Sequence, residues 1–184
     1  MQTASDSLWY FAYGSNMQTA TFRGRRGIEY RAAVAVRAPG WRLCLDKPPL
    51  LPVGESFAHI VPDPAAEVLG VAYGVGLPEI EHIDLTEGVA IGNYQRIELE
   101  VWPLVAAHAL PAPWRAHTLV SELCDPALRP SRRYMACLIA GAEEHGLPAE
   151  YVARLRAIAV CEESDEARRL RPLLDRFMKR PKTA

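Results

Sequence analysis

With 184 residues, 49% hydrophobic and 23% charged, the chain has the make-up of one globular domain with a sizeable core, and only marginal length for two. A formal net charge of −1 supplies no global field for nucleic acid or an anionic membrane. No stretch approaches the roughly 20 apolar residues that a membrane-spanning helix needs, and the polar start Met1–Ser7 lacks the basic end and apolar core of a secretory signal. The expected location is the cytoplasm, with no membrane partner.

The first two-thirds of the chain reads as strands. Leu8–Tyr13 is a short, aromatic-rich strand ending at Gly14-Ser15-Asn16, a turn signal. Tyr30–Val36 and Trp41–Leu45 are the next strand-like runs, followed over Asp46–Gly54 by a loop whose prolines (Pro48, Pro49, Pro52) cannot continue a sheet. Phe57–Val61 and Val68–Val75 resume the pattern, the second by strict alternation of Leu69, Val71, Tyr73 and Val75. Pro78-Glu79 opens a short helix, because the first turn needs no N–H from proline and favours negative charge, and Gly88 breaks it. Tyr94–Val101 alternates again, and Ala116–Val120 is a further strand candidate.

After Pro130 the period becomes helical. Ser131 is an N-cap for a helix with the apolar stripe Met135, Leu138, Ile139 and Ala142. Gly146 stops it and Pro148 starts another, striped by Tyr151, Val152, Leu155, Ile158 and Ala159; a third helix, about 164–178, carries Leu170, Leu173, Leu174 and Phe177. The expectation is a single α+β domain over residues 1–184, with its core at about 8–160: a curved, mixed β-sheet or small barrel with helices packed at one side.

Metal and disulfide chemistry find no support in linear spacing. Cys44, Cys124, Cys137 and Cys161 form no CxxC pair, and His59, His82, His108, His117 and His145 form no HxxxH or HExxH pattern. The cysteines are expected to be reduced and structural, and no metal site is expected.

Two segments can carry chemistry and a third supports them. In Tyr10-Phe11-Ala12-Tyr13-Gly14-Ser15-Asn16 an apolar strand runs into a polar turn whose backbone N–H groups can hold an anion. In Glu87-Gly88-Val89, followed after two residues by Gly92-Asn93-Tyr94, a carboxylate stands where a helix gives way to a glycine-flanked loop. Pro130-Ser131-Arg132-Arg133-Tyr134 leads into the first C-terminal helix. Each has a plain structural reading as well: a turn, a solvated helix-end carboxylate and a core aromatic.

Taken together and in this order, the segments resemble the γ-glutamylcyclotransferase family. That family has a Tyr-Gly-Ser-Asn turn (here Tyr13–Asn16), a Glu-Gly-Val-x-x-Gly-x-Tyr segment (Glu87 to Tyr94) and a Pro-Ser-x-x-Tyr segment (Pro130 to Tyr134). The stretch Gly146-Leu147-Pro148-x-Glu150-Tyr151 also looks like its helix–helix connection. The resemblance runs from about Leu8 to Ile158 and is weakest across 38–55 and 103–113. It implies a γ-glutamyl amide as the small-molecule substrate, with the substrate's own α-amine attacking the γ-carbonyl to release 5-oxoproline. It implies Glu87 as the catalytic base and acid, Tyr10, Phe11, Ala12, Tyr13, Gly14, Ser15 and Asn16 as substrate-binding positions, and Tyr94 and Tyr134 as pocket walls. No cofactor is implied.

Three other readings compete with this one. Ser15 as a hydrolase nucleophile fails the elbow pattern, because Tyr13 and Met17 stand where glycines are needed. A non-catalytic metabolite- or partner-binding domain of the same fold would lack the carboxylate that this chain keeps at Glu87. Basic clusters at Arg23, Arg25 and Arg26, and at Arg168, Arg169, Arg171, Arg176, Lys179, Arg180 and Lys182, offer a nucleic-acid surface. Interleaved acids (Asp165, Glu166, Asp175) make a solvated face the simpler reading, so no nucleic-acid partner is expected. The identity of the leaving amine (an amino acid, glutathione-derived, a polyamine or a secondary metabolite) and the oligomeric state, a homodimer included, stay open. The loop at 48–52 falls in a stretch that matches the family poorly; a loop there could rim the pocket and alter the choice, and its role stays open too.

Overall fold

Period-two alternation in the first two-thirds of the chain becomes five strands that close on themselves. The structure is a computed structural model; it describes residues 8–51, 53–105 and 111–181, and Met1–Ser7, Pro52, His108 and Lys182, named above, lie outside them. The strands are β1 (Leu8–Ala12), β2 (Ala32–Lys47), β3 (Phe57–Val75), β4 (Gln95–Pro103) and β5 (Trp114–Val120), in barrel order β1-β3-β2-β4-β5. All pairings are antiparallel except β1 with β5, where Trp9 faces Ala116 and Tyr10 faces His117 in parallel. That one contact closes the sheet and leaves no edge to protect. The sheet is therefore mixed and mostly antiparallel, within what the pattern indicated, and it closes into a small barrel.

Two pairs of expected strands are each a single long one. The runs at Tyr30–Val36 and Trp41–Leu45 merge into β2, and those at Phe57–Val61 and Val68–Val75 merge into β3. The intervening Pro39-Gly40 and Pro62–Ala66 read as breaks, but the ladder absorbs them as a register shift between Pro39 and Trp41. An irregularity of this kind bends a strand without ending it. The two strands form one long ribbon joined by the loop after Lys47.

The helices are α1 (Leu77–Thr86), α2 (Arg132–Glu144), α3 (Ala149–Arg156) and α4 (Asp165–Met178). Ser131 caps α2 by accepting the Tyr134 N–H, and Ser164 caps α4 by accepting that of Ala167. Met135, Leu138 and Ala142 of α2, with Tyr151, Val152 and Leu155 of α3, are buried in one core with Phe11, Val36 and Tyr73 of the barrel. Helix α2 lies directly on the turn after β1. A Cβ on Gly141 would stand 2.6 Å from Met17 C and 2.6 Å from Gln18 N, so only glycine permits this approach.

The stripe read on α4 does not face the core. Ala167 is the buried residue of that helix, while Leu173 and Phe177 are 63% and 59% exposed. The reason is position: α4 crosses the mouth of a cavity instead of packing flat on the sheet, and Leu174 and Phe177 line that cavity.

Candidate active site

The end of β1, the C-terminus of α1 and the loop after β2 converge on a cavity of about 330 Å³. From β1, Tyr10, Ala12 and Tyr13 reach its wall, and Gly14, Ser15 and Asn16 continue as a single tight helical turn, Ser15–Met17. The leading N–H groups of such a turn have no carbonyl of their own helix to bond. The turn is held from both sides. Met17 O accepts from the Tyr73 hydroxyl at 2.8 Å, and α2 presses on its backbone through Gly141.

Glu87 caps the C-terminus of α1, its N–H bonded to Ile83 O at 2.9 Å. Gly88 then adopts a left-handed conformation, φ 72°, which turns the chain away and leaves the Glu87 side chain at the cavity wall. A carboxylate at the negative end of a helix is unfavourable unless cations compensate it. Two do. Arg26, 2% exposed, donates from Nη1 to Glu87 Oε1 and to Asn16 Oδ1 (3.0 Å), and from Nη2 to Thr86 Oγ1 (2.6 Å). Lys47, 1% exposed, donates from Nζ to Asn93 Oδ1 and to Pro48 O, both at 2.7 Å, and sits 4.5 Å from the Tyr94 ring centre. Burial pulls the Lys47 ammonium down to about 8, and the Glu87 charge opposes that shift. Asn93 in turn donates to Glu87 O at 2.8 Å.

Four tyrosines complete the wall. The Tyr13 hydroxyl donates to Leu119 O and that of Tyr94 to Ala58 O at 2.8 Å, so both protons are committed to backbone carbonyls. The Tyr134 oxygen instead accepts the Ala58 N–H at 3.1 Å, which leaves its own proton to offer. Asn16 Nδ2 donates to the Tyr10 oxygen at 3.3 Å. Burial pushes all four phenols up, Tyr10 to about 12, so they are neutral hydrogen-bonding groups at physiological pH.

The structure thus brings Tyr10, Ala12, Tyr13, Gly14, Ser15, Asn16, Glu87, Tyr94 and Tyr134 to one cavity. Phe11 is not at its wall. By strand alternation its side chain turns to the core, fully buried, and its carbonyl accepts from Thr118 Oγ1 at 2.8 Å. Sequence reasoning missed Arg26, Lys47 and Asn93. Arg26 was read with Arg23 and Arg25 as a basic surface cluster, but a helical turn over Ala20–Arg25 swings it inward. Five other members of the two clusters are paired with acids: Arg23 with Glu29, Arg25 with Asp175, Arg168 with Asp165, Arg171 with Glu163 and Arg180 with Glu79.

One cluster of metal-ligand types does form among the described residues, despite the lack of linear spacing. Cys44 Sγ, an Asp46 carboxylate oxygen and a His59 ring nitrogen lie within 4.8 Å of one another. It is separate from the cavity, and its groups already bond: His59 Nε2 to Asp46 Oδ1 at 2.6 Å, His59 Nδ1 to Ser121 O at 2.9 Å, and Arg42 Nη1 to Cys44 Sγ at 3.1 Å. A guanidinium on the sulfur opposes a second cation there.

A closed five-stranded barrel with flanking helices is a fold already known. A solved γ-glutamyl cyclotransferase matches it with a TM-score of 0.73 at 24% identity, over 93% of this chain and 99% of its own. Sequence comparison goes further. The AIG2-like family model matches residues 67–155. The bovine (Bos taurus) γ-glutamylcyclotransferase is 30% identical over 160 residues, 83% of this chain and 79% of its own length. The γ-glutamyl cyclotransferase aclK of Aspergillus oryzae is 35% identical over 167 residues, 81% of this chain and 60% of its own. The chain belongs to the γ-glutamylcyclotransferase family.

Proposed function

We propose that the protein cleaves a γ-glutamyl amide by intramolecular attack of the α-amine on the γ-carbonyl, releasing 5-oxoproline and a free amine or amino acid. The observation that carries this reading is the placement of Glu87 and the 13–16 turn in one cavity, tied together through Arg26. The new bond joins the α-nitrogen to the γ-carbon and the old amide C–N bond breaks. The α-nitrogen gives up two of its three protons on the way from ammonium to lactam N–H; Glu87 takes each in turn and passes it to the departing nitrogen, which leaves as an ammonium group, so one carboxylate serves as base and then acid. Attack within one molecule removes much of the entropic barrier once the glutamyl group is held folded. The N–H groups at Gly14–Asn16 and the Tyr134 hydroxyl are the donors for oxygens that carry or develop negative charge.

Among the described residues no helix is long and apolar enough to cross a membrane; the cytoplasm is the proposed location. The test is 5-oxoproline release from a panel of γ-glutamyl compounds, with and without EDTA. Turnover of at least one compound, unaffected by chelation, is expected. No 5-oxoproline from a broad panel, or loss of turnover on chelation, would sink the reading.

A further inference from the structure

The cavity has two chemically different ends. The inner end holds Asn16, Arg26, Glu87 and Asn93, a network of charges and amides suited to the glutamyl group. The outer end lies between the β2–β3 loop and α4. There Leu50, Leu51, Leu174 and Phe177 line the space while 56, 40, 36 and 59% exposed. A lone exposed leucine is ordinary. Four large apolar side chains on two facing segments around one opening are an unfilled apolar surface.

The charged side chains at this end are engaged with one another. Glu163 takes Arg133 Nε at 3.3 Å and Arg171 Nε at 3.1 Å, and Arg25 Nε lies 3.5 Å from Asp175. The two walls are also fixed to each other and to the inner end. Ser164 Oγ donates to Val53 O at 2.8 Å, joining the start of α4 to the loop. Beyond its other end, the Arg180 N–H donates to Arg26 O at 2.8 Å. The opening is therefore a formed surface and not a chance gap between mobile parts.

We infer that this outer end is a leaving-group subsite that selects γ-glutamyl amides whose amine carries an aromatic or branched aliphatic side chain. The inference rests on the cyclotransferase reading: ring closure involves only the glutamyl half, so whatever hangs from the γ-nitrogen must extend along the mouth between loop and helix. An apolar group placed there covers Leu50, Leu51, Leu174 and Phe177 and displaces water from them. A glycyl leaving group covers none of them, and an acidic one covers little of them and meets arginines already paired with Glu163 and Asp175.

The experiment compares kcat/KM for γ-glutamyl-phenylalanine and γ-glutamyl-leucine with that for γ-glutamyl-glycine and γ-glutamyl-glutamate. A preference of about tenfold or more for the first two is expected, the scale at which apolar pockets discriminate. The double variant Leu50→Ser, Phe177→Ser should lower kcat/KM for γ-glutamyl-phenylalanine about tenfold more than for γ-glutamyl-glycine. Leu173→Ser, on the same helix but outside the cavity wall, should leave the ratio as it is. Equal or better use of the glycyl or glutamyl compound overturns the subsite and leaves the cyclotransferase reading standing. So does a ratio that shifts as far with Leu173→Ser as with the double variant. Absence of 5-oxoproline from all four compounds overturns the subsite, and the cyclotransferase reading falls with it only if the broad panel of γ-glutamyl compounds is silent as well.

Discussion

Arg26 donates from one nitrogen, Nη1, both to Asn16 on the glycine turn and to Glu87, 61 positions further along the chain. One guanidinium thereby sets the distance between the Gly14–Asn16 turn and the proposed base. Its planar fork and fixed charge suit this bridging, which a flexible ammonium would not reproduce. The Arg26 Nε is buried without a partner, so the geometry favours the bridge over full satisfaction of the guanidinium.

Replacing Arg26 tests whether that bridge holds the site together. Arg26→Met fills similar space but removes the ion-pair partner bonded directly to Glu87 at a helix C-terminus, leaving only the Lys47 charge nearby. Breaking one side of a largely buried pair costs on the order of 3 kcal/mol, which urea denaturation would read. Combining it with Glu87→Gln should give less than the sum of the two losses, since the stranded carboxylate is then gone. Additive losses would show that the two side chains are not energetically coupled.

Glu87→Gln keeps the shape of the side chain but cannot take the α-ammonium proton. Turnover should fall by about 10²–10⁴-fold, with product or substrate-analogue binding affected far less. Equal loss of rate and binding would point to a structural carboxylate. Comparable rate losses from Glu79→Gln or Glu81→Gln would move the role elsewhere; of these two, Glu79 is already paired with Arg180.

Local signals made much of this legible. Alternation found the strands, Ser131 and Ser164 found their helix starts, and the Tyr13–Asn16 and Glu87–Tyr94 motifs found residues that do share a cavity. What stayed hidden depends on long-range placement. Arg26 and Lys47 look like ordinary solvated cations in sequence, because nothing local says that a helical turn or a long ribbon will bury them. The α4 stripe has the right period for a core helix, yet period does not say whether sheet or cavity lies opposite. Phe11 belongs to the same motif, but strand alternation turns its side chain into the core, so any contact it makes at the cavity is through backbone.

Gly141 links the packing of α2 to the site. In Gly141→Ala the new methyl would meet the Met17 and Gln18 backbone at 2.6 Å, and backbone cannot yield as a side-chain tip can. The helix must back away or the turn must shift. Overpacking of this kind costs about 1–3 kcal/mol. We expect a lower thermal midpoint and a higher KM, because the turn at Gly14–Asn16 is displaced from Glu87. An unchanged KM would mean that the turn is positioned by β1 and Tyr73 alone.

Lys47 should make stability depend on pH in a window set by its own titration. Its ordinary value is 10.5 and burial lowers it to about 8 in the folded state. At pH values below about 8 the side chain is charged whether the chain is folded or not, and the folded state bears the cost of burying the charge. Between about 8 and 10.5 the unfolded chain binds more protons, so stability rises with pH there. Above 10.5 the lysine is neutral in both states and the cost is gone. The raised tyrosines, Tyr10 among them, act in the opposite direction once unfolded phenols begin to ionise near 10. Subtracting the same curve for Lys47→Met, which titrates nothing at this position, removes their contribution. The wild-type minus variant difference in unfolding free energy, measured by urea denaturation at half-unit steps from pH 7 to 10, should therefore rise with pH above about 8. Parallel curves would show that the ammonium is not desolvated in the folded protein, and that its bonds to Asn93 and Pro48 satisfy the charge in full.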